Sequence, residues 1–309
     1  MQKLKKVKGR SKSSKSVLFL SDLHVGSAYA LCSPEPVISE NGTTHRPNKL
    51  QKKLYETWEW CKDQLAQKPH VLCLNGDAID GANIKQSGQQ SWSTNINDQL
   101  EDTEKLLKEI PHQYFVMTRG SGYHVQKDAT SYEETLAEMM GAIPYSSYFG
   151  RDVVTVMDYA GTGNGNSVNS HHYRPRTDYL LFFSVNDRGF SVTHHIAFTR
   201  WFNYQPMALA REMANLEYLT GKYWKAEDHP TFVVRSHVHY YVQVRYTTTC
   251  GFTTPAFKFP DSHLFRGGLA GTAPTVGMVE VIVEPNGKWV VNPLLLTNDK
   301  YPKHQLLRF

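Results

Sequence analysis

The sequence predicts an α/β fold built as one large domain. Short apolar runs that read as buried strands alternate with segments of helical periodicity, and charged residues stand where the strands end. With 309 residues and 40% hydrophobic content, the chain is long enough to bury a substantial core.

Val17 to Ser21 reads as a buried strand running into a loop at Asp22. Residues 31–46 hold Pro34, Pro36 and Asn41-Gly42 and are expected to be a turn-rich excursion. Asn48 is placed to cap a helix reaching about Gln67, because Leu50, Leu54, Trp58, Cys61 and Leu65 recur at helical spacing. A second strand follows over Val71 to Asn75, a helix over Asn97 to Ile110, a third strand over Tyr114 to Thr118, and a helix from Ser131 to Met140 that stops near Gly141 and Pro144. Further strands are expected at Val153 to Met157, Tyr179 to Val185 and Phe190 to Thr193, the last two joined by a turn at Asn186-Asp187-Arg188-Gly189. Residues 161–177, rich in Gly, Asn and Ser, predict a long loop or lid. A helix from about Met207 to Leu219 leads into strands around Phe232 to Val234, Tyr240 to Arg245, Val276 to Val283 and Trp289 to Val291. No internal repeat is visible, so residues 17–309 are expected to form a single domain behind a basic tail, 1–16.

That tail carries Lys3, Lys5, Lys6, Lys8, Arg10, Lys12 and Lys15 without one acid. The net charge of +5 is therefore misleading, since the remainder has 27 cations against 29 anions. Only the tail has the charge to follow a polyanion; its default reading is a solvated, disordered segment. The apolar runs are far short of the roughly 20 residues of a membrane span, and Val17-Leu18-Phe19-Leu20 is too short for a signal-peptide core. Four widely spaced cysteines, Cys32, Cys61, Cys73 and Cys250, include no Cys-x-x-Cys pair. A cytoplasmic protein with no membrane partner is the expectation.

The strand ends hold the chemistry. Strand one ends in Ser21-Asp22-Leu23-His24, strand two in Asn75-Gly76-Asp77-Ala78-Ile79-Asp80-Gly81, and strand three in Arg119-Gly120-Ser121-Gly122-Tyr123-His124. The strand at Phe190 ends in His194-His195, and that at Phe232 in His237-Val238-His239. In extended chain, residues i and i+2 share a side, so Asp22 with His24, and His237 with His239, can each face one point. Carboxylate and imidazole ligands without cysteine favour a hydrolytic Mn, Fe or Zn centre over a redox cluster. Each signal alone is weak, because a lone histidine is usually structural or solvent-facing. The order is more specific.

That order, Asp-x-His, Gly-Asp, Gly…His, a strand-terminal His and His-x-His, resembles the calcineurin-like metallophosphoesterases over about Val17 to Tyr240. The resemblance implies a four-layer α/β/β/α sandwich of two facing sheets flanked by helices. It implies two divalent ions, Mn2+ before Fe2+ or Zn2+, with Asp22, His24, Asp77 and His239 around one, and Asp77 bridging to a second held with His194 and His237. His195 competes with His194. It also implies that His124 is a non-ligand general acid paired with Asp80, and that a metal-bridging hydroxide attacks the phosphate ester. The altered motifs look more like bacterial and phage-encoded members than like the phosphoprotein phosphatases.

Two departures bear on function. The family's Gly-Asn-His is here Gly120-Ser121-Gly122-Tyr123-His124, so either Ser121 or water takes the place of the Asn, or the second metal site is weak. Gly81 stands where the phosphatases carry a phosphate-clamping Arg. A phosphodiesterase or nuclease acting on a phosphoester substrate, with nucleic acid as one candidate, is therefore favoured over a Ser/Thr-type phosphomonoesterase. A non-catalytic metal- or nucleic-acid-binding module is the reading from a different class. Arg174 and Arg176, with His171 and His172, are candidate substrate-gripping residues in the lid, against a solvated loop. Trp201, Phe202 and Tyr204 read as core packing before a base-stacking surface. Gly161 to Gly165 lacks the Lys-Ser/Thr ending of a nucleotide loop and reads as a flexible loop.

Overall fold

The computed structural model describes residues 13–40, 42–83, 88–127, 130–144, 154–155, 176–199, 201–223, 229–261 and 275–296. Residues 1–12 of the basic tail, the segment 161–175 and Arg174 with it lie outside them.

Two six-stranded sheets are stacked face to face. In the first, β1 (Lys15–Leu20), β4 (Val71–Asn75) and β5 (Tyr114–Thr118) run parallel, with β15 (Gly277–Val283) antiparallel to β1 and β16 (Trp289–Leu295) antiparallel to β15 on one side, and the short β9 (Thr177–Asp178) on the other. The second has the order β13 (Gln243–Arg245), β14 (Cys250–Thr253), β12 (Phe232–Arg235), β11 (Arg188–Thr193), β10 (Leu180–Val185), β8 (Val154–Thr155). Two small hairpins, β2–β3 (Val37–Ile38, Thr44–His45) and β6–β7 (Gln126–Lys127, Thr130–Ser131), lie outside the sheets.

The layering follows from the period of two along a strand. Val17 and Phe19 of β1, Val71 and Cys73 of β4 and Val116 of β5 point between the sheets, where they meet Phe183, Phe190, Val192, Phe232, Val234 and Phe252. Leu18, Leu20, Leu72 and Leu74 point the other way, onto α1 (Lys49–Asp63), α2 (Ile96–Lys108) and α4 (Tyr132–Met139) through Leu54, Trp58, Leu106, Leu107 and Leu136. Val233 faces Leu209 and Met213 of α5 (Gln205–Tyr223), which covers the second sheet. Strands sandwiched on both faces are apolar throughout, which explains runs such as Val71–Asn75. The result is the expected helix, sheet, sheet, helix order.

Local chemistry sets the element ends. Asn48 Oδ1 accepts from the N–H groups of Leu50 and Gln51 at 2.8 and 3.0 Å, and Gln51 Oε1 accepts from Asn48 N–H at 3.0 Å, a reciprocal capping box. The helix ends at Asp63, one turn short of expectation. The β10–β11 turn is tighter than the four residues expected. Val185 pairs with Arg188, leaving Asn186 and Asp187 with φ of 47° and 62°, the left-handed geometry that two-residue hairpin turns require. β14 was not expected, because Cys250-Gly251-Phe252-Thr253 is short and interrupted by glycine. Gly251 has its reason in packing, since a Cβ there would lie 2.4 Å from Met213 Sδ of α5. All four cysteines are buried free thiols. Among the described residues no helix is long and apolar enough to cross a membrane.

Candidate metal centre

The parallel strands of both sheets end at the same edge of the sandwich, where open α/β sheets place their sites. β1 delivers Asp22 and His24, β4 delivers Asp77 and Asp80, and β5 delivers Ser121 and, through the single turn α3 (Gly122–Val125), His124. From the second sheet β11 delivers His194, and β12 delivers His237 and His239. The loops interlace: Asp22 N–H donates to Gly76 O and His24 N–H to Asp77 O, each at 3.1 Å. Ser236 N–H donates to His194 O at 2.9 Å, and Thr275 N–H to His239 O at 2.8 Å. Asp22, His24, Asp77, His237 and His239 all have positive φ, between 45° and 71°. Asp and His tolerate that region better than most side chains, but it is still uncommon.

Three sets of ligand atoms gather within 4.8 Å: Asp22, His24 and His239; Asp77, His194 and His237; and His24, Asp77 and His124. Shared members make them one site. Asp22 Oδ1 lies 3.1 Å from His239 Nε2, 3.8 Å from His24 Nε2 and 3.9 Å from His194 Nε2. Asp77 Oδ2 lies 3.1 Å from His194 Nε2 and 4.0 Å from His24 Nε2, so it reaches both halves of the cluster. His194 is fully buried and its Nδ1 faces Asn75 O at 2.7 Å, which leaves Nε2 toward the carboxylates. The neighbouring His195 is exposed and stays at the rim, its ring 4.8 Å from that of His237. Ser121 stands between the halves: its N–H donates to Asp77 Oδ1 at 2.6 Å, its hydroxyl to Asp77 Oδ2 at 3.0 Å, and the same oxygen is 3.2 Å from His237 Nδ1.

The electrostatics suit a cation. Burial would raise Asp22, yet His239 and His194 hold it well below the carboxylate range; Asp77 is buried too and is held down by His194. Burial, with Lys258 adding to it, lowers His24 to about 3, and burial with His194 lowers His237 to about 4. Burial works against protonated His194, but Asp77 and Asp22 raise it to about 10. Asp22 Oδ1 and His194 Nε2 are buried without an aligned hydrogen bond, a state that proteins avoid unless an ion or water completes it. Two carboxylates and four imidazoles, with buried unsatisfied atoms on Asp22 and His194 among them, fit hard-to-borderline divalent ions.

The sequence model of the calcineurin-like phosphoesterase family matches residues 15–241, most of the chain and every strand end just described. The chain belongs to that family. Solved structures with low similarity include wild-type Vps29 complexed with zinc from Entamoeba histolytica, at 9% identity over 91% of this chain and 98% of that one, with a TM-score of 0.38. A predicted phosphoesterase from Streptococcus pneumoniae has 9% identity over 92% and 99%, with a TM-score of 0.35. A structure described as a novel archaeal phosphodiesterase has 10% identity over 90% and 99%, with a TM-score of 0.38. No match was found among curated proteins.

Within this phosphoesterase, several expected placements differ. His124 Nδ1 faces the backbone oxygen of Asp80 at 2.9 Å, while Asp80 Oδ1 is 3.9 Å away and lies nearer to His24 Nδ1 and Lys258 Nζ. Arg176 is spent on packing: its N–H donates to Glu134 Oε1 at 2.5 Å and its guanidinium to Ala142 O, so the end of α4 holds it. Trp201 and Tyr204 are not core residues; they are 71% and 50% exposed on the stretch between His194 and α5.

Three supporting residues escaped the sequence reading. Glu133, fully buried at the start of α4, accepts from Ala78 N–H at 3.0 Å and Gly120 N–H at 2.6 Å, tying the second and third loops together. Burial and Asp77 push it up to about 8. Lys258 and Asp261 form a buried ion pair at 3.1 Å beside Asp80. The lysine did leave a signal, being the one charge inside Phe257-Lys258-Phe259; Glu133 left none.

Proposed function

We propose that this chain is a phosphodiesterase or nuclease that uses two divalent metal ions. Asp22, His24, His239 and Asp77 would hold one ion, and Asp77, His194 and His237 the other, with Ser121 taking the place of the family's Asn; manganese is the first candidate. Bound there, such ions lower the pKa of a water and offset the charge on phosphate oxygens. The protein's own contribution is positional. Asp77 is shared by both halves, and Glu133 keeps its loop against that of Ser121. His124, whose Nδ1 faces the Asp80 carbonyl at 2.9 Å, would serve as the general acid that gives a proton to the leaving oxygen.

The observation that carries the preference for diesters is Gly81. Its φ is +71°, and a Cβ there would lie 2.2 Å from His124 O, so the loop excludes the clamping Arg that a phosphatase carries at this point. Lys258, the nearby buried cation, is already held by Asp80 and Asp261. Among the described residues a terminal phosphate dianion thus meets neither an Arg at this point nor an unengaged Lys258, and a diester monoanion has less need of that extra cationic grip.

The test is hydrolysis of a bis-aryl phosphodiester beside an aryl phosphomonoester, with manganese or a chelator, and Asp77→Asn as the control for contaminating enzyme. Faster, metal-dependent diester turnover that disappears in the variant is expected. Preferential cleavage of the monoester would overturn the diester reading, and absence of both turnover and bound metal would overturn the enzyme reading.

A further inference from the structure

The Asp80 carboxylate lies closer to His24 than to His124, the histidine that the family resemblance pairs it with, at 3.5 against 3.9 Å. Its Oδ1 lies 3.5 Å from His24 Nδ1 and 3.6 Å from Lys258 Nζ, and its Oδ2 accepts from Asn83 Nδ2 at 2.9 Å. Lys258 Nζ is in turn 3.1 Å from Asp261 Oδ2. Asp80, Lys258 and Asp261 are all under 9% exposed. The array is thus a buried chain, Asp261 to Lys258 to Asp80 to His24, whose last member turns its Nε2 toward Asp22 and Asp77. His24 Nδ1 is buried without an aligned hydrogen bond, and the acid facing it is Asp80, whose Oδ1 is 3.5 Å away.

We propose that Asp80 is a positioning residue for His24, fixing its Nδ1–H tautomer so that Nε2 is the ligand atom, and that Lys258 and Asp261 pin the Asp80 carboxylate in place. A buried carboxylate opposite the non-ligating nitrogen is the arrangement that orients metal-bound histidines and raises their basicity. A lone carboxylate at that depth would be costly, and the lysine offsets it. The segment that brings Lys258 is fixed to the site by backbone contacts: Phe257 N–H donates to Asp22 O at 3.1 Å, and Ala30 forms a β-bridge with Lys258. Its outer members, Lys258 and Asp261, lie beyond residue 241, outside the stretch that the family model matches. His124 keeps its own anchor, the Asp80 carbonyl, which no side-chain substitution removes.

The proposal rests on His24 being a ligand, and its test separates the two. Mn2+ affinity is measured by calorimetry on the metal-free full chain, wild type against Asp80→Asn and Lys258→Met. Asp80→Asn is expected to weaken binding about 10–100-fold. Lys258→Met should weaken it too, because the carboxylate loses its pin, whereas a lysine acting only as a competing cation would give tighter binding when removed. Unchanged affinity in Asp80→Asn, or tighter binding in Lys258→Met, overturns the proposal while leaving the metal centre intact. Wild-type protein that binds no Mn2+ would instead defeat the proposed function. Independent of any variant's folding, long-range proton–nitrogen NMR of the metal-free wild type should show His24 protonated at Nδ1; a proton at Nε2 overturns the positioning role.

Discussion

Glu133 Oε2 takes the N–H of Gly120 at 2.6 Å, and by that bond a helix of the outer layer fixes the loop on which Ser121 sits. Gly120 has no freedom to adjust, since a Cβ there would lie 2.2 Å from both the nitrogen and Oδ1 of Asp77. Glu133→Gln presents an N–H to one of two backbone donors and leaves it unpaired. A loss of about 1–3 kcal/mol is expected in denaturant unfolding, with weakened metal binding. A variant as stable as wild type would mean that the two loops do not depend on this carboxylate.

Asp77 and Ser121 should separate by metal stoichiometry. Asp77→Asn removes the acid that reaches both halves of the cluster and should deplete both ions, whereas Ser121→Ala removes one hydroxyl between Asp77 and His237, leaves Asp22, His24 and His239 in place, and should bring the count toward one at limiting metal. Plasma emission analysis of dialysed protein reads both. Two ions retained in Asp77→Asn would reject its bridging role.

For His124 the expected signature is kinetic. His124→Ala should lower kcat by about 10²–10⁴-fold, the usual worth of general acid catalysis, with metal content nearly unchanged. Because His124 also falls within ligand distance of His24 and Asp77, loss of bound metal in the variant would assign it to the metal instead.

Asp102, buried on α2, offers a pH test away from the metal. Burial raises its pKa, although Ser33 N–H donates to Oδ2 at 3.1 Å. An acid raised in the folded state binds its proton more tightly there than in the unfolded chain. Its contribution to stability therefore falls as pH rises from the unfolded value near 4 through the folded one. Asp102→Asn does not titrate. Thermal melts should show the variant level with wild type near pH 4 and more stable above neutrality; a gap that is constant with pH would show that Asp102 does not titrate this way.

The layers were legible because their cause is periodic. Alternation along β1 and β4, and the helical spacing of Leu54, Trp58 and Cys61, mark faces that the fold then buries. The strand-end cluster of Asp and His was legible for a related reason: a charge that ends an apolar run has few structural uses. What stayed hidden depends on contacts between residues distant in sequence. Choosing His194 over His195 needs the Asn75 carbonyl, and seeing that Asp80 faces His24 needs Lys258, which lies 178 positions further along the chain. Trp201 was misread because aromatic composition suggests burial, while exposure is a property of the neighbours.

The left-handed backbone at Asp22, His24, Asp77, His237 and His239 has a consequence for experimenters. Alanine tolerates that conformation less well than aspartate, asparagine or histidine, at about 1–2 kcal/mol for each residue so held. An alanine scan of this centre would therefore report conformational penalty and lost coordination as one number. Replacement by asparagine, which accepts the same turn of the chain, exchanges a carboxylate or imidazole for a weaker, neutral amide oxygen and spares the loop, so the five positions dictate the alphabet in which they can be interrogated.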